Sequence, residues 1–468
     1  MKNVVTINPK DNVCVTLTGS GNVPAGHKIA TRRIEKGERV IKYGEPIGVA
    51  TKTIEKGEWV HTHNVKSALD ESTSLAFDCP KYPVNPSGEG TFLGYERKSG
   101  EAGIRNDIFI IPTVGCVNGV CRKIAAMSQR FVRGSIDGIF ALTHQFGCSQ
   151  LGDDAENIAK LLCSIALNPN ASKVLIVGLG CENNGIAGIK KRLAPYNRDN
   201  IEFLNCQDAG DEVSDGLAII EKFADEAQRY KRKQLPLTKL RVGLKCGGSD
   251  GFSGLTANPL VGRFTDRLVS LGGSAVLTEI PETFGAEKVI GAKCAGKAVF
   301  DAYVAVVGEY KKSYSNAGYP VYENPSPGNK AGGITTLEEK SLGCVEKAGS
   351  TAITDVIGYG ERASADGVTV LAAPGNDLIA ATALGAAGCQ IILFTTGRGT
   401  PFSAFVPTLK ISSNARLAER KNNWMDFDAS SMDEDGLWNK TFAVINGEER
   451  CKSEYDREIA FYKKGVTL

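Results

Sequence analysis

The chain has 468 residues, a formal net charge of only +2, and 42% hydrophobic and 23% charged residues. This length exceeds one ordinary hydrophobic core, so two to three domains are expected. The composition excludes a disordered or fibrous chain, and the lack of a Lys/Arg block argues against a nucleic-acid or membrane-surface partner. No apolar run approaches the roughly 18–20 residues of a membrane span. The expected partner is therefore a small molecule, and a homo-oligomer is compatible with the sequence.

The N-terminus begins Met-Lys-Asn-Val-Val-Thr and resembles neither a secretory signal nor a transit peptide. A cytoplasmic location is predicted. In a reducing compartment the thirteen cysteines are expected to be free thiols or metal ligands rather than disulfides.

Residues 1–70 are predicted to form a small β-rich domain with an internal near-repeat. The segment 34–40 (IEKGERV) recurs twenty residues later at 54–60 (IEKGEWV). Each copy places a Lys-Gly turn between short β-branched segments, which is typical of compact hairpins. Residues 71–91 are rich in Ser, Pro and Gly and are predicted to be a linker.

From residue 92 the sequence alternates strands, glycine-bearing loops and helices, which predicts an α/β portion with mostly parallel sheets. Two catalytic subdomains are expected, at 92–235 and 236–468. The segment 310–335, rich in Gly, Pro, Asn and Tyr, is predicted to be a long functional loop. The predicted strands are 107–113, 136–142, 173–178, 240–245, 274–279, 368–372 and 389–395, and the predicted helices are 153–166, 214–230, 257–271, 287–308 and 376–386.

Four cysteines each follow or end a predicted strand, in a glycine-containing turn. Open parallel sheets bind ligands at the carboxyl ends of their strands. If the four strands share one sheet, four thiols line one rim and can ligate a metal; the alternative is that small cysteines simply pack beside glycine turns. The four are Cys116, Cys148, Cys181 and Cys246.

The chain has only four histidines. His61 and His63 follow a β segment, and side chains two apart on a strand share a face, so they can form half of a metal site; the alternative is an exposed pair beside the linker. His144 lies at a predicted strand end, where it can act as acid, base or ligand. His27 is expected to pack or to help bind an anion.

Two glycine-rich segments offer polar groups for an acid. The first, 245–254, carries Ser249 and Asp250 just before a predicted helix that contains Asn258, and a helix N-terminus suits a carboxylate. The second, 395–401, contains Arg398 and Thr400, and a guanidinium can clamp a carboxylate bidentately. Neither segment matches a nucleotide-binding fingerprint.

Together these motifs resemble the altronate/galactarate dehydratase family over nearly the whole chain. The N-terminal part is similar to the family's SAF-like, β-clip unit, and the remainder resembles its catalytic portion. The motifs that carry the resemblance are Gly26-His27-Lys28, the two Ile-Glu-Lys-Gly copies, 43–48 (YGEPIG), 61–64 (HTHN), 103–106 (GIRN), 112–116 (PTVGC), 144–148 (HQFGC), 178–182 (GLGCE), 246–250 (CGGSD), 257–259 (ANP), 340–344 (KSLGC) and 394–401 (FTTGRGTP).

The resemblance implies a hydro-lyase that removes water from a sugar acid, most like altronate dehydratase, and yields a 2-keto-3-deoxy acid. It implies a divalent metal, with Fe(II) favoured over Mn(II). Galactarate dehydration, a related sulfolactate sulfo-lyase activity and a non-catalytic sugar-acid-binding protein are the alternative functions. Three or four thiolates on one rim can also hold an iron–sulfur cluster, which is the alternative cofactor.

Dehydration needs a base for the C2 proton, an acid for the departing 3-hydroxyl and a cation for the developing charge. His144 is the first candidate for proton transfer, with Lys340, Glu182 and Glu279 as substitutes. The hypothesised metal ligands are His61, His63 and the four rim cysteines. The hypothesised substrate-binding residues are Ser249, Asp250, Asn258, Arg398, Thr400 and Arg105.

Overall fold

The computed structural model of the chain describes residues 3–69, 75–77, 87–196 and 199–468. The N-terminal unit consists of two small antiparallel sheets, in the orders β1-β2-β3-β6 and β4-β5-β7. Most of the predicted linker 71–91 lies outside the described residues. The strands of this unit are β1 (Val4–Val5), β2 (Val13–Thr16), β3 (Lys28–Ala30), β4 (Arg39–Lys42), β5 (Glu45–Ala50), β6 (Trp59–Val60) and β7 (Val65–Lys66).

The two near-repeat segments occupy equivalent positions and pair with each other. Ile34 and Ile54 form a reciprocal pair of backbone hydrogen bonds of 2.9 and 2.8 Å. Gly37 and Gly57 both have a φ of +84°, which explains why each turn carries glycine after lysine. The predicted β-rich N-terminal domain is confirmed.

The middle of the chain forms a four-stranded parallel sheet, in the order β11-β10-β12-β13, preceded by a short hairpin, β8-β9. Helices cover the sheet because both of its faces are apolar. The elements are β8 (Thr91–Glu96), β9 (Ala102–Gly103), β10 (Asp107–Pro112), α1 (Asn118–Ser128), β11 (Gly138–Ala141), α2 (Gly152–Ala166), β12 (Ala171–Gly178), α3 (Ile186–Leu193), β13 (Ile201–Asn205) and α4 (Glu212–Ala227).

The C-terminal part is built on a seven-stranded parallel sheet in the order β17-β18-β16-β15-β19-β20-β21, while β14 pairs with β8. The strands are β14 (Lys233–Pro236), β15 (Arg241–Cys246), β16 (Ser274–Leu277), β17 (Ile353–Ile357), β18 (Val368–Leu371), β19 (Ile391–Thr396), β20 (Thr408–Ser412) and β21 (Phe427–Asp428). The helices are α5 (Ala257–Ser270), α6 (Glu287–Gly291), α7 (Lys297–Asn316), α8 (Pro327–Ala331), α9 (Leu337–Cys344), α10 (Asp377–Ala386), α11 (Ala415–Arg420) and α12 (Glu434–Asn446).

The α/β class with mostly parallel sheets is confirmed, but two local predictions were wrong. The helix predicted at 287–308 is two helices, α6 and α7, because Gly296 takes an extended conformation and caps α7. The loop predicted at 310–335 is helical over nearly half of its length, since α7 continues to Asn316 and α8 fills 327–331. The limits of the predicted domains remain predictions.

The N-terminal unit packs on the C-terminal part through both apolar and charged groups. Its core residues, such as Val13, Ile34 and Ile54, belong to the same apolar cluster as the seven-stranded sheet. Two buried lysines, Lys28 and Lys42, each lie 2.8 Å from a different carboxylate oxygen of Glu339 in α9. None of the helices in the described ranges has the length and apolarity needed to cross a bilayer.

Candidate active site

Four buried acidic side chains meet at the carboxyl edge of the seven-stranded sheet. The Cys246 and Cys344 sulfurs are 3.1 Å apart, and Glu282 Oε2 lies 3.6 and 3.5 Å from them. Glu279 Oε2 is 3.7 Å from the Cys246 sulfur. One donor atom from each residue lies within 4.8 Å of all the others, and the described residues contain no second group of three or more such donors. We call these four residues the thiol–carboxylate cluster.

The fold places each member of the cluster at the end of an element. Cys246 ends β15, and Cys344 ends α9. Glu279 follows β16 and has a φ of +75°, a backbone conformation that residues other than glycine rarely adopt. Glu282 lies in the 3₁₀ turn Ile280–Thr283 that comes next. Strained backbone of this kind is typical of functional sites, because the surrounding structure has to hold it in place.

Three buried lysines surround the cluster and balance its negative charge. Lys245 pairs with Glu279, Lys340 Nζ lies 2.8 Å from Glu282 Oε1, and Lys347 Nζ lies 2.9 Å from the Cys344 sulfur. Burial alone would raise the pKa of Glu282, but the lysines, Lys340 above all, lower it to about 2. The hydrogen bond from Cys344 lowers the pKa of Cys246 to about 6, against the opposing effect of burial. Part of the cluster is therefore anionic at neutral pH.

The cluster has the donor spacing that a small divalent ion requires. Four ligands at about 2.0–2.3 Å from a tetrahedral ion lie about 3.3–3.8 Å apart. Four of the six separations in the cluster, 3.1–3.7 Å, fall close to that range, and all six are within 4.8 Å. Thiolates suit Fe(II) and Zn(II), and carboxylates also suit Mn(II), so the residues fit a divalent transition metal.

A narrow cavity of about 10 Å³, room for about one water molecule, lies between the N-terminal unit and α9, and we call it the inner cavity. Its wall includes Lys42, Ser249, Glu339 and Lys340. Lys340, which pairs with Glu282, connects this wall to the cluster. Ser249 is 3% exposed, yet its hydroxyl has no hydrogen-bond partner among the described residues. A buried hydroxyl without a partner is costly, so it indicates a place where a ligand completes the bonding.

Two other residues predicted to bind substrate also border this cavity, but their polar atoms are already engaged. Asp250 accepts hydrogen bonds from the side chains of Ser253, Ser413 and Asn414. Asn258 donates to Gly343 O at 2.7 Å, and its side-chain oxygen accepts a hydrogen bond from Thr395. The Asp250 side chain fixes the loop that carries Ser249, and the Asn258 side chain ties α5 to α9 and β19.

The remaining residues predicted to bind substrate lie apart from the inner cavity. Arg398 is exposed and faces a separate cleft, while Thr400 is half-buried in the same loop. Arg105 is buried and forms a bidentate ion pair with Glu454, with distances of 2.7 and 2.9 Å. Arg105 therefore ties the C-terminal segment to the start of β10.

The predicted His61–His63 pair does not lie on a strand. β6 ends at Val60, and the histidines occupy the following turn, where His61 is buried and His63 is exposed. His61 Nδ1 is 3.1 Å from Thr335 Oγ1, just before α9, whereas the cluster lies at the far end of α9. Eight helical residues span about 12 Å, so the pair does not join the thiol–carboxylate cluster around one ion.

His144 is buried, and both of its ring nitrogens are occupied. Nδ1 accepts a hydrogen bond from the Phe146 backbone N–H at 3.2 Å, so Nε2 carries the proton and donates to Pro112 O at 2.8 Å. Burial lowers the pKa of His144 to about 4. In this structure His144 is a neutral histidine that holds its loop together.

This depressed pKa predicts an acid-dependent loss of stability. The unfolded chain takes up a proton near pH 6.5 but the folded protein only near pH 4, so stability is complete above 6.5 and falls as the pH drops toward 4. We expect a loss of about 3 kcal/mol from this group, and a flatter pH dependence of the melting temperature in His144→Gln. His63→Gln, at an exposed site, is the control. An unchanged pH dependence in His144→Gln would contradict this account.

The four predicted rim cysteines fall into two groups because their strands belong to two sheets. Cys116, Cys148 and Cys181 are exposed and follow β10, β11 and β12 of the four-stranded sheet. Cys246 is buried in the seven-stranded sheet. Glu182 lies with the first group, where it accepts hydrogen bonds from Thr113 and the Gly180 backbone N–H.

Of the predicted residues, the structure therefore brings together Cys246, Glu279, Lys340 and Ser249. Glu282, Cys344 and Lys347 also belong to the site but were not among the residues predicted from the sequence. Cys344 belongs to the motif 340–344 (KSLGC). On a helix, the i, i+4 spacing of Lys340 and Cys344 places them on the same face, one turn apart. No comparable sequence signal marks Glu282, because it lies in a 3₁₀ turn that the hydrophobic periodicity did not predict.

Models of one protein family match three successive parts of the chain. The Altronate/galactarate dehydratase SAF domain matches residues 16–68, and the D-galactarate dehydratase/Altronate hydrolase second domain matches residues 94–228. The D-galactarate/Altronate dehydratase C-terminal model matches residues 237–467. The chain belongs to this family and is a carbon–oxygen lyase, as the resemblance implied.

Characterised relatives align over most or all of the chain. It is 46% identical to an altronate dehydratase of Bacillus subtilis (strain 168) over the full length of both chains. It is 43% identical to an altronate dehydratase of Escherichia coli (strain K12), over 98% of this chain and 94% of the relative. A galactarate dehydratase (L-threo-forming) of Escherichia coli (strain K12) is 30% identical, over 92% of this chain and 88% of the relative.

Proposed function

We propose that the chain is a metal-dependent sugar-acid dehydratase that removes water from altronate, or a close aldonate, to give a 2-keto-3-deoxy acid. The thiol–carboxylate cluster carries this proposal, because it supplies four donors at metal-ligand spacing beside a polar cavity. Full-length similarity to two altronate dehydratases supports the substrate class.

Cys246, Glu279, Glu282 and Cys344 would hold the divalent ion, with Fe(II) favoured and Mn(II) as the alternative. When bound there, the ion supplies Lewis-acid stabilisation for the charge that develops as the C2 proton leaves. Their placement at element ends fixes the four donors before any ligand arrives, so little reorganisation is needed.

The chain's own polar groups would orient the substrate and move protons. Ser249 offers a buried hydroxyl, free of partners among the described residues, to a substrate hydroxyl or carboxylate. Lys340 Nζ lines the same cavity, held by Glu282 at 2.8 Å and Asn324 Oδ1 at 3.2 Å. We assign Lys340 as the group that protonates the departing 3-hydroxyl. The N-terminal unit forms one side of the inner cavity through Lys42 and Tyr43.

Ser249→Ala provides a prediction with two opposite readouts. Removing a buried hydroxyl that lacks a partner costs no hydrogen bond in the free protein, so the melting temperature should stay the same or rise. Losing that hydroxyl's bond to the substrate, about 1–1.5 kcal/mol, should raise KM or lower kcat/KM by about tenfold. Thr395→Val, which removes a hydroxyl bonded to Asn258, is the matched control and should lower the melting temperature. A Ser249→Ala enzyme with unchanged kinetics would remove this residue from the site.

The direct test of the function is a product assay. Metal-stripped protein is supplied with Fe(II), Mn(II) or Mg(II) and incubated with altronate, galactonate, galactarate or sulfolactate, and 2-keto-3-deoxy acids and sulfite are measured. We expect a 2-keto-3-deoxy acid from altronate with Fe(II) or Mn(II). Turnover of galactarate or sulfolactate but not of altronate would assign the activity of another member of the family. Equal turnover with and without added metal would contradict metal dependence.

A further inference from the structure

A second cavity lies at the ends of β19 and β20, and we call it the basic cleft. It has a volume of about 810 Å³, and residues of the N-terminal unit, such as Leu17 and Ala25, form part of its rim. Four cationic side chains line it: Arg398, Arg416, Arg420 and Lys421. The carboxyl edge of a parallel sheet is the usual place for ligands, and this cleft follows the first and second strands beyond β15, which carries Cys246, along the same edge.

These four cations form no ion pair with the carboxylates of the described residues. Arg398 reaches only Gly328 O, at 3.4 Å, and Lys421 lies over the Trp424 ring. Four like charges around one concave surface repel each other, and a bound anion would relieve that repulsion.

Asp250 is the one acidic residue in the described lining of the cleft, and it does not neutralise the cations. Its carboxylate accepts hydrogen bonds from the neutral side chains of Ser253, Ser413 and Asn414 and pairs with none of the four cations. Asp250 also borders the inner cavity, so it forms a wall between the two cavities. The basic cleft shares no residue with the thiol–carboxylate cluster.

The size and lining of the cleft define the ligand class. A single carboxylate engages one or two guanidinium groups, whereas four cations match a ligand with two or more negative charges. The volume far exceeds that of an inorganic ion, and Leu17, Ala25 and Phe252 offer apolar surface for a carbon skeleton. The exposed Ser430 hydroxyl adds a group that can bond a sugar hydroxyl.

We propose that the basic cleft is an anion-binding site of its own, which takes a sugar derivative carrying at least two negative charges, either a phosphate ester or a dicarboxylate. In this proposal Arg398 binds the anion in the basic cleft and not the carboxylate of the sugar acid that is dehydrated. Binding to the basic cleft is measured without turnover, so its test is independent of the proposed dehydratase reaction.

Calorimetric titration of the metal-free protein at low ionic strength tests the proposal with three ligands that share a six-carbon skeleton. Gluconate carries one negative charge, and glucarate and 6-phosphogluconate carry two or more. We expect at least one of the two multiply charged ligands to bind at least tenfold more tightly than gluconate, and the tighter of the two identifies the anionic group. Equal affinity for all three, or inorganic phosphate binding as tightly as 6-phosphogluconate, would overturn the proposal.

Variants locate the binding in the cleft. Arg416→Ala combined with Arg420→Ala should weaken the tighter ligand at least tenfold, whereas Arg130→Ala, at an exposed arginine of the four-stranded unit, should leave its affinity unchanged. Undiminished binding in the double variant would overturn the proposal. Because the arginine pair is exposed, folding is checked by an unchanged melting temperature without ligand. A protein that dehydrates altronate but fails these titrations contradicts only the cleft, and the converse result contradicts only the proposed reaction.

Discussion

Replacing Cys344 by serine is expected to remove the bound divalent ion and lower kcat at least about 1000-fold. A Lewis-acid metal contributes several kcal/mol to stabilising the transition state, and about 4 kcal/mol corresponds to a factor of 1000. Changes in residues that only support metal ligands already weaken metal binding about 10–100-fold, so loss of a direct ligand should exceed that. The metal content per chain and kcat are measured on the same preparation.

The control for this variant is Cys294→Ser. Cys294 is also buried, but its thiol only approaches the Ile290 carbonyl at 3.5 Å, and it lies outside the cluster. It should keep both metal and activity even if it loses some stability. Glu282→Gln offers a second route, since it removes a different donor from the same cluster. Full metal content in both cluster variants, with the fold preserved by circular dichroism, would contradict the site.

Replacing Glu339 by glutamine is expected to destabilise the protein by about 3–5 kcal/mol, because it leaves two buried lysines without a counter-charge. Lys28 and Lys42 belong to the N-terminal unit, and each contacts one Glu339 oxygen at 2.8 Å. Burial alone would raise the pKa of Glu339, but the two lysines lower it to about 2, so the carboxylate is charged at neutral pH. The change keeps the volume of the side chain and removes only its charge.

Differential scanning calorimetry should show a melting temperature about 3–5 °C lower for Glu339→Gln, because the unfolding entropy of a 468-residue chain is about 1 kcal/mol per kelvin. The matched control is Glu38→Gln, whose carboxylate pairs with Arg32 at the surface and should contribute less than about 1 kcal/mol. Glu339 also borders the inner cavity. If the N-terminal unit loses its docking in this variant, activity should therefore fall as well. Equal melting temperatures for the two variants would show that this ion triad does not hold the unit in place.

The sequence predicted the fold class well because hydrophobic periodicity is a local property. The strands β10, β12 and β15 and the helices α2 and α5 appear within a few residues of their predicted positions. The assignment of strands to sheets is not local, which is why a single rim of four cysteines was expected where the structure has two sheets. Polar segments such as α8 escaped prediction because a capping box at Ser326 starts a helix too short for periodicity to detect.

The candidate site was predictable only in part, for the same physical reason. Cys246, Glu279, Lys340 and Ser249 stand in or beside strand ends and glycine-rich motifs, which are visible along the chain. The cluster itself depends on α9 returning over β15, which brings together residues almost 100 positions apart. His144 was the opposite case. Its position at a strand end suggested catalysis, but both ring nitrogens are used in hydrogen bonds, one to its own loop and one to the end of β10.

X-ray absorption at the iron edge of the Fe(II)-loaded protein tests the central claim most directly. A mixed first shell of two sulfur and two oxygen ligands is expected, with one sulfur lost in Cys344→Ser. A first shell of nitrogen and oxygen alone would place the ion elsewhere, for instance at His61 and His63. Bridging sulfide with iron–iron scattering would reveal an iron–sulfur cluster. Either of these two results would contradict the thiol–carboxylate cluster as the metal centre.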